Sequence, residues 1–162
     1  MDRTDALFVM VDIETSGPII GTHSMLELGA AVGSVRKGTL DRFEAVIRPI
    51  GDAVVTSQDS FARALREGEV PGEAMRRFAR WCEPHLLGKA RFVARPAAFD
   101  WPWIVYYAWT YLGENPFGFK ALCASSWFEA LGRRFQVELP HVAVKDAEIQ
   151  LEHFLEQLRA GA

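Results

Sequence analysis

Asp12 and Glu14 stand two residues apart, directly after the apolar run Leu-Phe-Val-Met-Val of positions 7–11. That run has the length and content of a strand buried on both faces. Side chains alternate across a strand, so the two carboxylates point one way and Val11 and Ile13 the other. Like charges side by side at the end of a buried strand repel each other and resist desolvation. A cation between them relieves both costs, and hard divalent ions such as Mg²⁺ prefer carboxylate oxygens. Thr15-Ser16-Gly17-Pro18 then turns the chain, which leaves both acids at a strand end facing a cleft. Three further polar residues interrupt apolar context: Asp100 after Ala-Ala-Phe, His141 after Pro140, and Asp146 one step before Ala147.

Each of these has a plainer explanation when taken singly. Asp12 and Glu14 suit the polar face of a half-exposed edge strand. Asp100, just before Trp-Pro, has the form of a helix N-cap with proline in the first turn. A lone histidine after proline is an ordinary loop residue, and Asp146 suits the first turn of a helix, where the macrodipole favours an acid. Their coincidence in one chain, in this order, is what the plainer explanations leave unaccounted for.

The elements that must position them follow from periodicity. Residues 25–35 read as a second strand, with Leu26, Leu28, Ala30 and Val32 on one face. Arg36-Lys37-Gly38 is the turn into a third strand over 40–47, where Phe43, Ala45 and Ile47 alternate with Arg42, Glu44 and Val46. These three strands form an antiparallel meander. Helices are predicted over 57–66 and 72–84, the second with Met75, Phe78 and Ala79 or Cys82 inward and Arg76, Arg77 and Arg80 solvated. Residues 91–95 form a short strand after a helix, hence parallel to the first. A helix over 101–112 stops at Gly113, 115–118 is a loop, and 125–131 is a short helix. Ala147, Leu151, Phe154, Leu155 and Leu158 trace a terminal amphipathic helix, with Asp146 at the edge of its stripe. In the 101–112 helix, Trp101, Ile104, Val105, Ala108 and Leu112 gather toward the core. Trp103, Tyr106 and Tyr107 fall outside that arc. Either the loop around Phe117 and Phe119 covers them, or Trp103 and Tyr107 line the cleft and stack on bases while Tyr106, with Trp103, forms a homodimer contact.

Composition bounds the function classes. At 162 residues, with 49% hydrophobic and 24% charged residues, the chain is expected to fold as one domain over 1–162. No apolar run reaches the ~18 residues that suggest a membrane span, and the N-terminus lacks the pattern of a signal peptide. Cys82 and Cys123 are isolated, which fits reduced thiols in the cytoplasm. The net charge of −3 argues against a protein that holds long nucleic acid by charge alone. A nucleic-acid partner must be gripped locally, at an end, with metal ions offsetting the acids.

Taken together, Val11-Asp12-Ile13-Glu14-Thr15-Ser16-Gly17, then Phe99-Asp100, then His141-Val-Ala-Val-Lys-Asp146 resemble the three motifs of the DEDDh group of 3′–5′ exonucleases. The motifs and the elements between them occur in the family's order across essentially the whole chain. The resemblance implies a ribonuclease H-like α/β fold with a mixed five-stranded sheet flanked by helices. It implies removal of nucleoside 5′-monophosphates from the 3′ end of single-stranded DNA or RNA, with two Mg²⁺ or Mn²⁺ ions. By the same resemblance Asp12 bridges the metals, Glu14 and Asp146 bind the ion on the nucleophile's side, and Asp100 acts chiefly on the other. His141 is then the general base and not a ligand, a role suited to imidazole, which titrates near neutrality. Thr15, Ser16, Gly17 and Phe99 fall where the family meets the terminal nucleotide. Two departures leave the choice between DNA and RNA open: Arg95-Pro96 replaces a polar pair such as His-Asn, and residues 61–66 lack the usual His-Gly-Ile. The other function classes are a catalytically idle module that binds protein or nucleic-acid ends, and an endonuclease or transposase on the same fold.

Overall fold

A computed structural model describes residues 5–51 and 58–161. Five strands form one sheet: β1 (Leu7–Thr15), β2 (Met25–Ser34), β3 (Gly38–Val46), β4 (Arg91–Ala94) and β5 (Leu122–Cys123). Their order is β3-β2-β1-β4-β5. The first three are antiparallel, and β4 and β5 run parallel to β1. The helices are α1 (Gln58–Glu67), α2 (Pro71–Leu87), α3 (Ala97–Leu112), α4 (Ala124–Ala130) and α5 (Ala143–Ala160). The mixed five-stranded sheet expected from the resemblance is present. Ser57, the expected start of the first helix, lies outside the described residues.

Central position explains the apolar content of β1. Val9, Val11 and Ile13 pack on one face with Phe78 of α2 and Trp103 and Tyr107 of α3. Phe8 and Met10 pack on the other with Phe128 of α4 and Leu151, Phe154 and Leu155 of α5. Alternation therefore assigns Asp12 and Glu14 to the α5 face, beyond the last apolar residue on that side. The buried stripe of α5 runs Ala143, Asp146, Ala147, Gln150, Leu151, Phe154 and Leu155, at helical spacing. At one end Phe8 meets Phe154 edge to face at 5.2 Å. Further along, Gln150 meets Asp12. The helix thus lies antiparallel along β1, with its first turn at the strand's C-terminal end.

α5 also needs a flat bed on β2. Gly29, Ala31 and Gly33 share a face of that strand, and Gly29 is the partner of Asp12 across the sheet. A Cβ on Gly29 would stand 2.1 Å from the carbonyl carbon of Ala143. Here the glycine is required by close approach of two backbones.

Several sequence expectations are corrected. α3 starts at Ala97, not 101, with Pro96 as the residue preceding its first turn, so Asp100 is inside the helix and is not its N-cap. The buried face of α3 is Ala97, Asp100, Trp103, Ile104, Tyr107 and Ala108. Val105 and Leu112 are only partly buried. Trp103 and Tyr107 are core residues, available neither to stack on bases nor, for Trp103, to form a dimer contact. Tyr107 is fixed further because its hydroxyl accepts the Met25 N–H at 2.8 Å. Tyr106 is 40% exposed and Trp109 52%, so an outward aromatic surface survives at Tyr106 alone of the three expected. Phe117 is partly buried and packs against the core, whereas Phe119 is exposed. α2 continues past Pro84, which lies on its solvent side. Arg77 is not merely solvated: it ion-pairs with Glu69 at 2.6 Å and lies over the Phe43 ring at 4.6 Å. β5, two residues long, was not placed from the sequence.

The substitution Gly29→Ala tests the α5 seat. The obstruction is backbone, which cannot rotate away, so the variant is expected to lose about 1–3 kcal/mol of stability. Urea unfolding midpoints of the two proteins measure it.

Candidate active site

β1 reaches four residues beyond Val11, the last residue it pairs with β4. From there its edge on the β4 side is open, and α3 closes it: Asp100 Oδ1 accepts the Ile13 N–H at 3.2 Å. Because Asp100 lies on the same stripe as Trp103 and Tyr107, packing of those two rings holds the carboxylate in place. It is 3% exposed. Burial pushes its carboxyl up to about 7, with the Glu14 charge adding to the shift and the Ile13 N–H opposing it.

Asp12 comes from the opposite layer. Gln150 Nε2 donates to its Oδ1 at 2.8 Å. Its carboxyl is pushed up to about 8, first by burial and next by the charge of Asp100. Asp146, in the first turn of α5, is 2% exposed, and burial raises its carboxyl too. Its Oδ1 is buried without a hydrogen-bond partner. Glu14 is raised by burial, an effect the charge of His141 opposes and that of Glu27 reinforces. His141 is exposed and holds φ at 56°, a left-handed conformation that few residues other than glycine adopt. One ligand atom each of Glu14, His141 and Asp146 lies within 4.8 Å of the others.

The structure therefore brings Asp12, Glu14, Asp100, His141 and Asp146 to the C-terminal end of one strand from three elements and a loop. Among the described residues no lysine or arginine is within ion-pair distance of the four acids. Desolvated carboxylates, an orphaned Asp146 oxygen and an oxygen-rich donor set fit hard divalent cations.

The remaining expected residues sit in the turn after β1 and at the start of α3. Thr15 Oγ1 donates to the Gly17 carbonyl at 2.9 Å. Ser16 is buried, with its N–H donating to Ser24 O at 2.8 Å and its Oγ accepting the Ser24 N–H at 2.9 Å. A Cβ on Gly17 would stand 2.2 Å from the His23 ring. Phe99, beside Asp100, is 36% exposed.

Sequence reasoning missed two participants. Gln150 lies one turn after Asp146 on the same face, a spacing that would have found it once Asp146 was placed. Glu27 faces Glu14 directly across the β1–β2 pair and is buried. Arg63 of α1, within the segment that departs from the family's pattern, ion-pairs with Glu27 at 2.9 Å and with Glu44 at 3.4 Å.

By fold the chain is ribonuclease H-like. No family model matches it. The nuclease domain of 3′hExo, a DEDDh family member bound to rAMP, superposes with TM-score 0.65 at 12% identity, covering 96% of this chain and 92% of that one. A product-bound exonuclease I superposes with TM-score 0.69 at 11% identity, over 96% of this chain and 43% of that one. Escherichia coli exonuclease I in complex with a dA13 oligonucleotide gives 0.67 at 11%, over 94% and 39%. In sequence, the chain is 37% identical over 134 residues to the 3′-5′ DNA exonuclease Cap18 of Escherichia coli, covering 78% of this chain and 70% of that protein. The chain belongs to the DEDDh-type 3′–5′ exonuclease family, and divalent-metal dependence comes with that membership.

The raised carboxyls give a pH test. A group whose folded value lies above its unfolded one contributes stability that is fully present below the unfolded value and lost as pH rises through the folded one. For Asp12 and Asp100 the window runs from 3.8 up to about 8 and about 7 respectively. In chelator, their contribution to the melting temperature is expected to fall across that window, and added Mg²⁺ to restore it. Asp12→Asn, scanned the same way, should lose part of the fall and melt no lower than wild type at the alkaline end.

Proposed function

We propose that the chain removes nucleoside 5′-monophosphates one at a time from the 3′ end of single-stranded DNA, using two divalent cations and a histidine base. The observation that carries this reading is the convergence of four desolvated carboxylates and one exposed imidazole at a single strand end, with no lysine or arginine among the described residues paired to the acids. DNA is favoured because Cap18 is a DNA exonuclease. A single-stranded 3′ end is supported by the oligonucleotide complex of exonuclease I, which shares the fold.

Asp12, Glu14, Asp100 and Asp146 would hold the two cations, Mg²⁺ or Mn²⁺, which would supply charge relief at the phosphate and lower the pKa of water. Gln150 fixes the Asp12 carboxylate by donating to its Oδ1. The Ile13 N–H does the same for Asp100. His141, carried on a left-handed residue beside Glu14 and Asp146, takes the proton of the attacking water at an imidazole nitrogen. Its exposure gives that proton a route to solvent. Phe99 offers a partly exposed ring to the terminal sugar or base, and the closed turn at Thr15, Ser16 and Gly17 offers backbone to the same nucleotide.

Matched DNA and RNA strands labelled at the 5′ end, incubated with Mn²⁺, test the proposal. Progressive shortening of DNA with release of monophosphate is expected. A wild type that binds strands and shortens neither would make it an idle module. His141→Ala is expected to lower the rate by about 10²–10⁴-fold, with metal affinity by calorimetry little changed. Metal binding lost together with the imidazole would make His141 a ligand.

A further inference from the structure

A cavity of opposite charge adjoins the acidic site. It holds about 390 Å³ and is lined by Arg95, Arg133, Arg134 and Phe135, with Glu129 as the one acid among the described residues. In a chain of net charge −3 this is a concentrated cationic surface. Arg95 ties it to the site. Ala94 of β4 pairs in parallel register with Val11 of β1, so Arg95 and Asp12 are the next residues on two adjacent strands. Burial lowers the Arg95 guanidinium, an effect the Asp12 charge opposes.

Surface arginines are usually solvated and mobile, but two of these are held. The Arg95 guanidinium lies over the Phe135 ring at 4.1 Å. Its Nε is buried without a hydrogen-bond partner. Arg133 Nη1 donates to the Gln157 carbonyl at 3.3 Å and to Gln157 Oε1 at 3.0 Å. Among the described residues, none of the three cavity arginines is within ion-pair distance of a carboxylate. Guanidinium groups gathered at one space, two of them held and none ion-paired among the described residues, match the oxygens of a phosphate.

We infer that this cavity seats a backbone phosphate of the strand being cut, and that Arg95 joins that seat to the reacting end. The inference rests on the nuclease reading above and assigns its substrate an anchor beyond the terminal nucleotide. A strand would be gripped at one point where arginines outnumber acids, which is how an acidic protein can hold a polyanion.

The test compares a ten-nucleotide DNA strand with the p-nitrophenyl ester of thymidine 5′-monophosphate, which has no second phosphate. In Arg134→Gln and in Arg95→Gln, the ratio of kcat/KM for strand to that for ester is expected to fall about tenfold, the worth of one charged hydrogen bond. The slope of log binding constant against log salt for the strand should flatten by about 0.7 per contact removed. Arg134 is exposed, so its variant keeps the test valid should Arg95→Gln unfold. A ratio within twofold of wild type in Arg134→Gln, with the salt slope unchanged, overturns the assignment. Inhibition of ester hydrolysis by inorganic phosphate, relieved by Arg134→Gln with the ratio unmoved, makes the cavity a seat for free phosphate and also overturns it. Wild type inactive on both substrates sinks the nuclease reading itself.

Discussion

Four carboxylates are crowded and desolvated at the end of β1 without a lysine or arginine paired to any of them among the described residues. Burial of this kind is unfavourable unless charge is removed, either by protonation or by a cation. The raised carboxyls of Asp12 and Asp100 are the protonation route. A hard divalent ion is the other. The surrounding fold keeps these groups in place despite the cost, which is the usual relation between a stable scaffold and a functional site.

That scaffold holds the acids from two sides. On one, Trp103 and Tyr107 anchor α3 in the core, and Asp100 rides the same stripe into contact with the Ile13 N–H. On the other, small residues on β2 let α5 lie close, and its stripe delivers Gln150 to Asp12 and Asp146 beyond it. Layers of apolar side chains therefore fix the relative position of polar ones, a few ångströms past the edge of the core. Glu27 belongs to the same region but is neutralised by Arg63, so a buried acid of the sheet beside the site does have a protein partner.

Asp12 and Glu14 were legible because strand parity fixes which way a side chain points once the apolar run is recognised. Asp146 was legible for a similar reason, one step from the apolar stripe of α5. Asp100 was harder. α3 is apolar nearly all round, so periodicity could not choose its buried face, and the helix starts four residues earlier than the Trp-Pro signal suggested. The N-cap reading and the misplaced Trp103 and Tyr107 both follow from that error. β5 is too short for alternation to register. Arg77 gains its partners from β3 and the segment before α2, contacts that no local pattern announces. The grouping of Arg95 with Arg133 and Arg134 depends on tertiary packing in the same way.

Proton release on metal binding tests most directly whether the acids are held awaiting a cation. A carboxyl held at about 8 keeps most of its protons at neutral pH, so a divalent ion must displace them to bind. Calorimetric titration of Mg²⁺ into metal-free protein, repeated in buffers of differing ionisation enthalpy near neutrality, counts those protons. Release is expected in wild type and is expected to be reduced in Asp12→Asn. Binding without proton release, or no binding, would contradict the assignment of these carboxylates as the metal centre.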